Sequence, residues 1–301
     1  MAVIDLGTNS TRLLVGELVD GGVRELERRS TVTRLGQGVD SSGRLAEEAM
    51  ERVYATVAAY REAIDGHNAA AVLAVATSAV RDAANGEEFR AALRERFGVD
   101  AQTISGDEEA RLTFLGATSG RADRTTDTLV IDIGGGSTEF VVGHPGSEPA
   151  FHVSTRLGSV RQSERHLATD PPPAAELAEL AREAAEVIEA EVPELVRADV
   201  QGGIAVAGTA TSLAAIDQEL EPYDSERVHG YHLPLESVSR ITTELAALPL
   251  ERRRNVAGLH PDRAPTIVAG AAILLVSMRS FGLDEVEVSE ADILHGVALM
   301  G

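Results

Sequence analysis

The 301-residue chain contains neither cysteine nor lysine. The missing cysteine excludes disulfides, a thiolate nucleophile and a zinc–thiolate centre, and it suits a reducing cytoplasm, the location we expect. The missing lysine makes all 27 basic residues arginine, against 48 acidic ones, for a formal net charge of −21. A surface so poor in positive charge repels nucleic acid and anionic membranes, so neither is an expected partner. It repels a polyanionic substrate too, which would need local arginines, backbone amides and divalent cations at its site. The acidity also serves solubility alone. Long apolar runs are scarce as well: the longest, Ala264 to Met278, is interrupted by Gly270 and falls short of the ~20 residues a membrane span needs. It reads as a buried core helix. A strand is expected within the opening residues, which leaves no room there for the regions of a signal peptide.

What the chain does have is one short device written twice. Val3 to Thr11 read VIDLGTNST, and Val130 to Thr138 read VIDIGGGST. Each runs from apolar strand-like residues through an aspartate, Asp5 or Asp132, into a glycine turn followed by hydroxyls. Glycine removes side chains from the turn, so a ligand reaches the backbone N–H groups directly; the hydroxyls add donors and the aspartate adds a hard oxygen ligand. Strand, glycine turn and strand also describe an ordinary β-hairpin. Two copies so far apart exceed any solenoid period and point to a duplicated domain, with each half lending one loop to a common cleft.

The surrounding pattern supports duplication. In the first half, strands are expected near Val3–Leu6, Arg12–Val19 and Val23–Thr33, then a helix from Leu45 to Ile64. A buried strand AAVLAVAT, helical segments to Phe97, a short strand AQTIS and a helix from Asp107 to Ala117 follow. After the polar linker GRADRTTD the plan restarts, with strands at Leu129–Ile133, Glu139–Val142 and Ala150–Thr155. Asp170, ahead of three prolines, is expected to cap a helix running to Glu191. A strand GGIAVAG, a helix from Thr211, a polar stretch around PYDSERVHGYH, further helices, a strand EVEVS and a terminal helix complete the chain. The expected class is therefore α/β, two β-β-β-α-β-α-β-α domains over residues 1–122 and 123–301, with the terminal helix free to dock back on the first domain.

Such halves resemble the actin-like (ribonuclease H-like) fold shared by actin, sugar kinases and heat-shock chaperone ATPases. Within it the chain is similar to the exopolyphosphatase and guanosine pentaphosphate phosphatase family. The stretches that carry the resemblance are VIDLGTNSTRLLV, ATSAVRDAANGEEF, ISGDEEARLTFLGA, VIDIGGGSTEFVV, RLGSVR, VAGTATSLAA and DRAPTIVAGAAIL, in the family's order. ISGDEEARL followed by DIGGGSTE is the specific combination.

The resemblance implies a metal-dependent phosphohydrolase acting on inorganic polyphosphate or on guanosine pentaphosphate, and it is compatible with a homodimer; the acidic surface, which repels the distant charges of a long chain, makes short polyphosphate the expected preference. An ATP-dependent kinase or actin-like ATPase would use the same fold, and a noncatalytic polyphosphate-binding regulator the same loops. In SGDEEA, Ser105 and Glu108 form a capping-box pattern, which leaves Glu109 unassigned. The resemblance makes Glu109 the general base. It places Asp5, Asp132 and Glu139 at a divalent metal, Mg2+ or Mn2+, with Asp132 also catalytic, though Glu139 reads equally as an exposed strand residue. Terminal-phosphate contacts are expected from Gly134, Gly135, Gly136, Ser137 and Thr138, with Asn9 and Ser10 on the first loop. Gly208, Thr209 and Ala210 open a helix after a strand, an anion site by geometry, with Thr209 alternatively an N-cap. Arg81 matches a phosphate-contacting arginine, or else is a surface-paired one. His229 and His232 read as structural or surface groups. One departure is DILHG, Asp292 to Gly296, where many relatives carry an arginine–glutamate pair; it concerns the packing or regulation of the last helix.

Overall fold

The structure, a computed structural model, describes residues 1–121 and 126–301. In the first half, β1 (Ala2–Leu6), β2 (Ser10–Val19) and β3 (Gly22–Val32) form an antiparallel meander. It is followed by α1 (Val39–Ser42), α2 (Glu47–Gly66), β4 (Val72–Ala76), α3 (Ser78–Asp82), α4 (Gly86–Phe97), β5 (Gln102–Thr103) and α5 (Gly106–Thr118). The second half repeats the plan with β6 (Thr128–Ile133), β7 (Thr138–Gly143), β8 (Phe151–Thr155), α6 (Ser159–His166), α7 (Ala174–Glu191), α8 (Glu194–Asp199), β9 (Gly203–Val206) and α9 (Ala207–Asp217). Then come α10 (Ser225–Val228), β10 (Tyr231–Pro234), α11 (Leu235–Ala247), α12 (Leu250–Arg253), α13 (Ile267–Ser280), β11 (Glu285–Val288) and α14 (Ile293–Met300).

The strand orders are β3-β2-β1-β4-β5 and β10-β11-β9-β6-β7-β8. In both sheets the meander strands pair antiparallel and the crossover strands join parallel, β4 beside β1 and β9 beside β6. The duplicated actin-like plan is therefore borne out. The boundary expected between residues 122 and 123 lies outside the described residues.

Among the described residues four cores hold the layers together. Ala2, Ile4 and Leu6 pack with α2 and α4 on the outer face of the first sheet, and Leu129, Ile131 and Ile133 pack with the large helical layer on the outer face of the second. Between the sheets lie α5 and α14. Val3, Leu14 and Val75 meet Leu112, Ile293 and Leu294 there, while Val130, Val141 and Ile204 meet Ala110 and Phe114. A central strand covered on both faces reads as a continuous apolar run, as β1 and β6 do.

Strand alternation then places the charged residues. Asp5 shares a face with Val3, Arg12 with Leu14, Asp132 with Val130 and Glu139 with Val141, so all four turn toward the inter-sheet layer that carries Glu109 on α5. Helices α5 and α14 cross at glycines: a Cβ on Gly296 would lie 1.8 Å from Leu112 O, and one on Gly116 1.9 Å from Asp292 O.

Several local expectations are corrected. Asp170 does not cap α7, whose N-cap is Pro173 without a side-chain bond. Its carboxylate instead serves α12, accepting from Leu250 N at the start of that helix at 2.7 Å and from Arg253 Nη2 at 3.2 Å, so one group satisfies a helix end and a cation together. Helix α9 begins at Ala207, not Thr211, and Thr209 is not its cap. The polar stretch near residue 230 supplies an edge strand, β10, that its composition hides. The run AQTIS shrinks to two strand residues. The apolar run from Ala264 becomes the buried helix α13, as expected.

Candidate active site

The two glycine turns close alike: Gly7 N donates to Ser10 O at 3.1 Å, and Gly134 N to Ser137 O at 3.0 Å. Asp5 pairs in register with Arg12, and Asp132 with Glu139, at equivalent places of the two hairpins. The turns face each other closely. A Cβ on Gly135 would lie 3.0 Å from Asn9 N, and one on Gly136 2.4 Å from Ser78 Oγ, so glycine is what permits the approach. A third wall comes from α9, where Ala207 adopts φ 62°, a strained value for a residue with a Cβ. Gly208 lies beneath the Arg263 guanidinium, so near that a Cβ would overlap it.

These walls enclose a cleft lined by Asp5, Asn9, Ser10, Glu109, Asp132, Gly134 to Ser137, Gly208 and Thr209. The remaining expected residues are arranged otherwise. Glu139 is buried rather than exposed, across from Asp132 on the neighbouring strand, and accepts from Ser154 Oγ at 2.6 Å. Thr138 is turned away, its hydroxyl donating to Leu157 O. Ala210 packs in the apolar core with Leu213 and Ala214. Arg81 does not line this cleft; its Nη1 donates to Glu109 Oε2 at 3.0 Å. Ser105 accepts from Glu108 N at 3.1 Å, so the N-cap forms and leaves Glu109 for the cleft. His229 and His232 stay outside the site, bonded to Glu290 N and Glu285.

The sequence reading missed Arg12 and Arg263, both in the cleft wall. For Arg12 a signal existed: a cation on the inward face of an apolar strand just after the first glycine turn. Its Nε and Nη2 donate to Asp5 Oδ2 at 2.8 and 2.6 Å, and its Nη1 pairs with Asp292. Arg263 arrives from distant sequence and had none.

Burial sets the electrostatics. Desolvation raises Glu109 to about 7 against the pull of Arg81, and Asp132 to about 6 against that of Arg12. Glu139 is pushed well above its usual range by burial and then by the charges of Glu109 and Asp132. Asp5 is raised by burial as well, and its Oδ1 is buried without a hydrogen-bond partner among the described residues. That orphaned oxygen, beside carboxylates that repel one another, is a donor set suited to a hard cation. No three acidic, histidine or cysteine side chains among the described residues converge as a complete metal shell. A cation here would therefore need further oxygens from substrate and water, which is the habit of Mg2+.

The Ppx/GppA phosphatase family model matches residues 3–300. Exopolyphosphatase 2 of Mycobacterium tuberculosis is 35% identical over 312 residues, covering 99% of this chain and 97% of that protein. The crystal structure of an exopolyphosphatase-like protein superimposes with a TM-score of 0.91 at 34% identity, covering 99% of this chain and 97% of that one. The crystal structure of the Aquifex aeolicus Ppx/GppA family member does so with a TM-score of 0.82 at 29% identity, covering 99% and 96%. With the match running through both glycine turns, the Glu109 helix and α14, the chain belongs to the Ppx/GppA phosphatase family.

Proposed function

We propose that the protein is an exopolyphosphatase that removes the terminal phosphate of inorganic polyphosphate. The observation that carries this reading is Glu109, a buried carboxylate raised to about 7, opening on a cleft built from two glycine turns. A carboxylate with that pKa is matched to taking a proton from water near neutral pH. The N–H groups of Gly135 to Ser137 and those of Thr8 and Asn9 in the first turn, which the turn-closing bonds leave free, hold the terminal phosphate. Glu109 accepts the proton of an attacking water, whose oxygen bonds to the end phosphorus as the bridging P–O bond breaks. Orthophosphate and a chain shorter by one unit are the products. Arg12 and Arg263, with the backbone at Gly208, meet the negative charge of the next phosphates. Asp5 and Asp132, backed by Glu139, are the residues that would hold a magnesium ion, which supplies neutralisation of phosphate charge when bound.

A second cavity of about 730 Å³ opens from the cleft, sharing Arg12, Ala207, Gly208 and Arg263 with it. Arg28, Arg29 and Arg254 add cations, so it suits the rest of a polyanion. Its Leu220, Val256, Leu259 and Tyr223 wall also suits a nucleoside, which supports guanosine pentaphosphate as a second substrate. Phosphate release measured side by side on short polyphosphate, long polyphosphate, guanosine pentaphosphate and ATP tests the assignment. Release from the first exceeding that from ATP is expected, and an ATP-only activity would overturn it.

A further inference from the structure

Behind the second glycine turn lies a separate cavity of about 340 Å³. It shares Gly136 and Ser137 with the cleft and presents three arginines, Arg81, Arg156 and Arg161. What divides it from the cleft is made of side chains: the Arg81–Glu109 pair at 3.0 Å, and Ser154, which holds Glu139 at 2.6 Å. Arg161 is the fixed member. Its Nε donates to Gly136 O at 2.8 Å, its Nη2 to Asp82 at 2.8 Å, and its Nη1 pairs with Asp40. The other two are not used up. Among the described residues Arg81 spends only Nη1 on hydrogen bonds, and Arg156, its side chain 70% exposed, spends only Nη2, on Asp40 at 3.2 Å with Asp82 at 4.0 Å.

We propose that this rear cavity is an orthophosphate site through which the product leaves and the attacking water enters. The inference rests on the phosphohydrolase reading, and the argument is one of direction. In phosphoryl transfer the attacking and leaving oxygens lie roughly in line on opposite sides of phosphorus. The shortened chain occupies the front, toward Arg12, Arg263 and the large cavity. Water must therefore come from the Glu109 side, and released orthophosphate finds its front path filled by the chain. On the Glu109 side lies the rear cavity, where the free donors of Arg81 and Arg156 and the hydroxyl of Ser78 match a small oxyanion.

The test is product inhibition. With a short polyphosphate as substrate, added inorganic phosphate is expected to lower the maximal rate of the wild-type enzyme, because it binds while the front is occupied. Arg156→Ala is expected to raise the inhibition constant about tenfold, the loss typical of one charge-assisted contact. Arg156→Glu should raise it further and Arg156→Lys should keep most of the effect. Purely competitive inhibition, or a constant unchanged in Arg156→Ala, would overturn the proposal. Calorimetric titration of inorganic phosphate without substrate keeps the two readings apart. If no polyphosphate is hydrolysed the functional assignment fails, whereas equal phosphate binding by wild type and Arg156→Ala defeats the rear site whatever the substrate.

Discussion

Arg81 Nη1 lies 3.0 Å from Glu109 Oε2, so the proposed base is already oriented, and its negative form favoured, by a cation from the other side of the phosphate turn. Burial and this pair oppose one another, leaving Glu109 at about 7. Glu109→Gln keeps size and hydrogen bonding while removing basicity. Turnover is expected to fall by ~100-fold or more with substrate affinity largely kept, in the range for loss of a general base. Near-normal turnover in a steady-state assay would remove Glu109 from that role.

Metal-free protein should lose stability as pH rises. Glu109, Asp132 and Glu139 all have native pKa values above their unfolded ones, Glu109 at about 7, Asp132 at about 6 and Glu139 well above the usual carboxylate range. The native state then binds more protons than the unfolded chain above about pH 4.5, and stability falls as pH climbs through those values. Carboxylates shifted down, such as Asp40 and Asp292, are ionised in both states across this window and add no slope. In chelator, Tm is expected to drop from pH 5 to pH 8, and magnesium to restore it at pH 8 but hardly at pH 5. Glu139→Gln should flatten the slope, and this comparison cancels His229, which burial shifts the other way. Asp132→Asn should weaken the magnesium effect. A Tm insensitive to pH and magnesium alike would contradict the carboxylate cluster.

The departure DILHG acquires a structural meaning. Asp292 caps α14 by accepting from Leu294 N at 3.0 Å and pairs with Arg12 and Arg28, while His295 contacts Glu25 at 3.0 Å. It is buried, and although burial opposes its charge, Arg12 and Arg28 hold its pKa low. Asp292→Ala takes one partner from Arg12, which keeps Asp5, and one from Arg28, which keeps Glu290, and is expected to cost ~1–3 kcal/mol, the range for leaving buried polar groups short of a partner. Asp292→Asn keeps a capping oxygen and should cost less. Urea unfolding gives both values, and a change below ~1 kcal/mol for the alanine variant would show the pair to be dispensable.

How far the sequence reaches is visible residue by residue. The two glycine turns were legible because their chemistry is local and stated twice, and Asp5 and Asp132 came with them as the aspartates of the repeated motif. The same alternation turns Thr138 away from Glu139's face, so a strict reading would have removed it from the phosphate contacts. Ala210 sits one helical turn from Leu213 and Ala214 and shares their buried face. What sequence order could not supply is convergence. Arg263 comes to Gly208 from a separate segment, and Asp170 leaves the adjacent α7 for the start of the distant α12 and its Arg253.

Chain length gives the last prediction. The cleft and the large cavity gather Arg12, Arg28, Arg29, Arg254 and Arg263, guanidinium groups for the first few phosphates to meet beside Glu221, Glu290 and Asp292 of the same lining. Beyond them a longer chain meets a protein of net charge −21, whose repulsion acts over roughly a Debye length, ~8 Å at physiological ionic strength. Each further phosphate then adds repulsion without a matching arginine, so affinity per chain end should stop rising once the cavity is filled. Rates per chain end are expected to be higher on oligomers of a few phosphates than on chains of hundreds. Added salt should narrow the gap, because screening weakens the surface term more than the enclosed contacts. Arg254→Ala should weaken binding of the short oligomers that fill the cavity and leave a pyrophosphate-sized ligand little changed. Equal rates per end across all lengths, or a gap that widens with salt, would show that the acidic surface does not select the substrate.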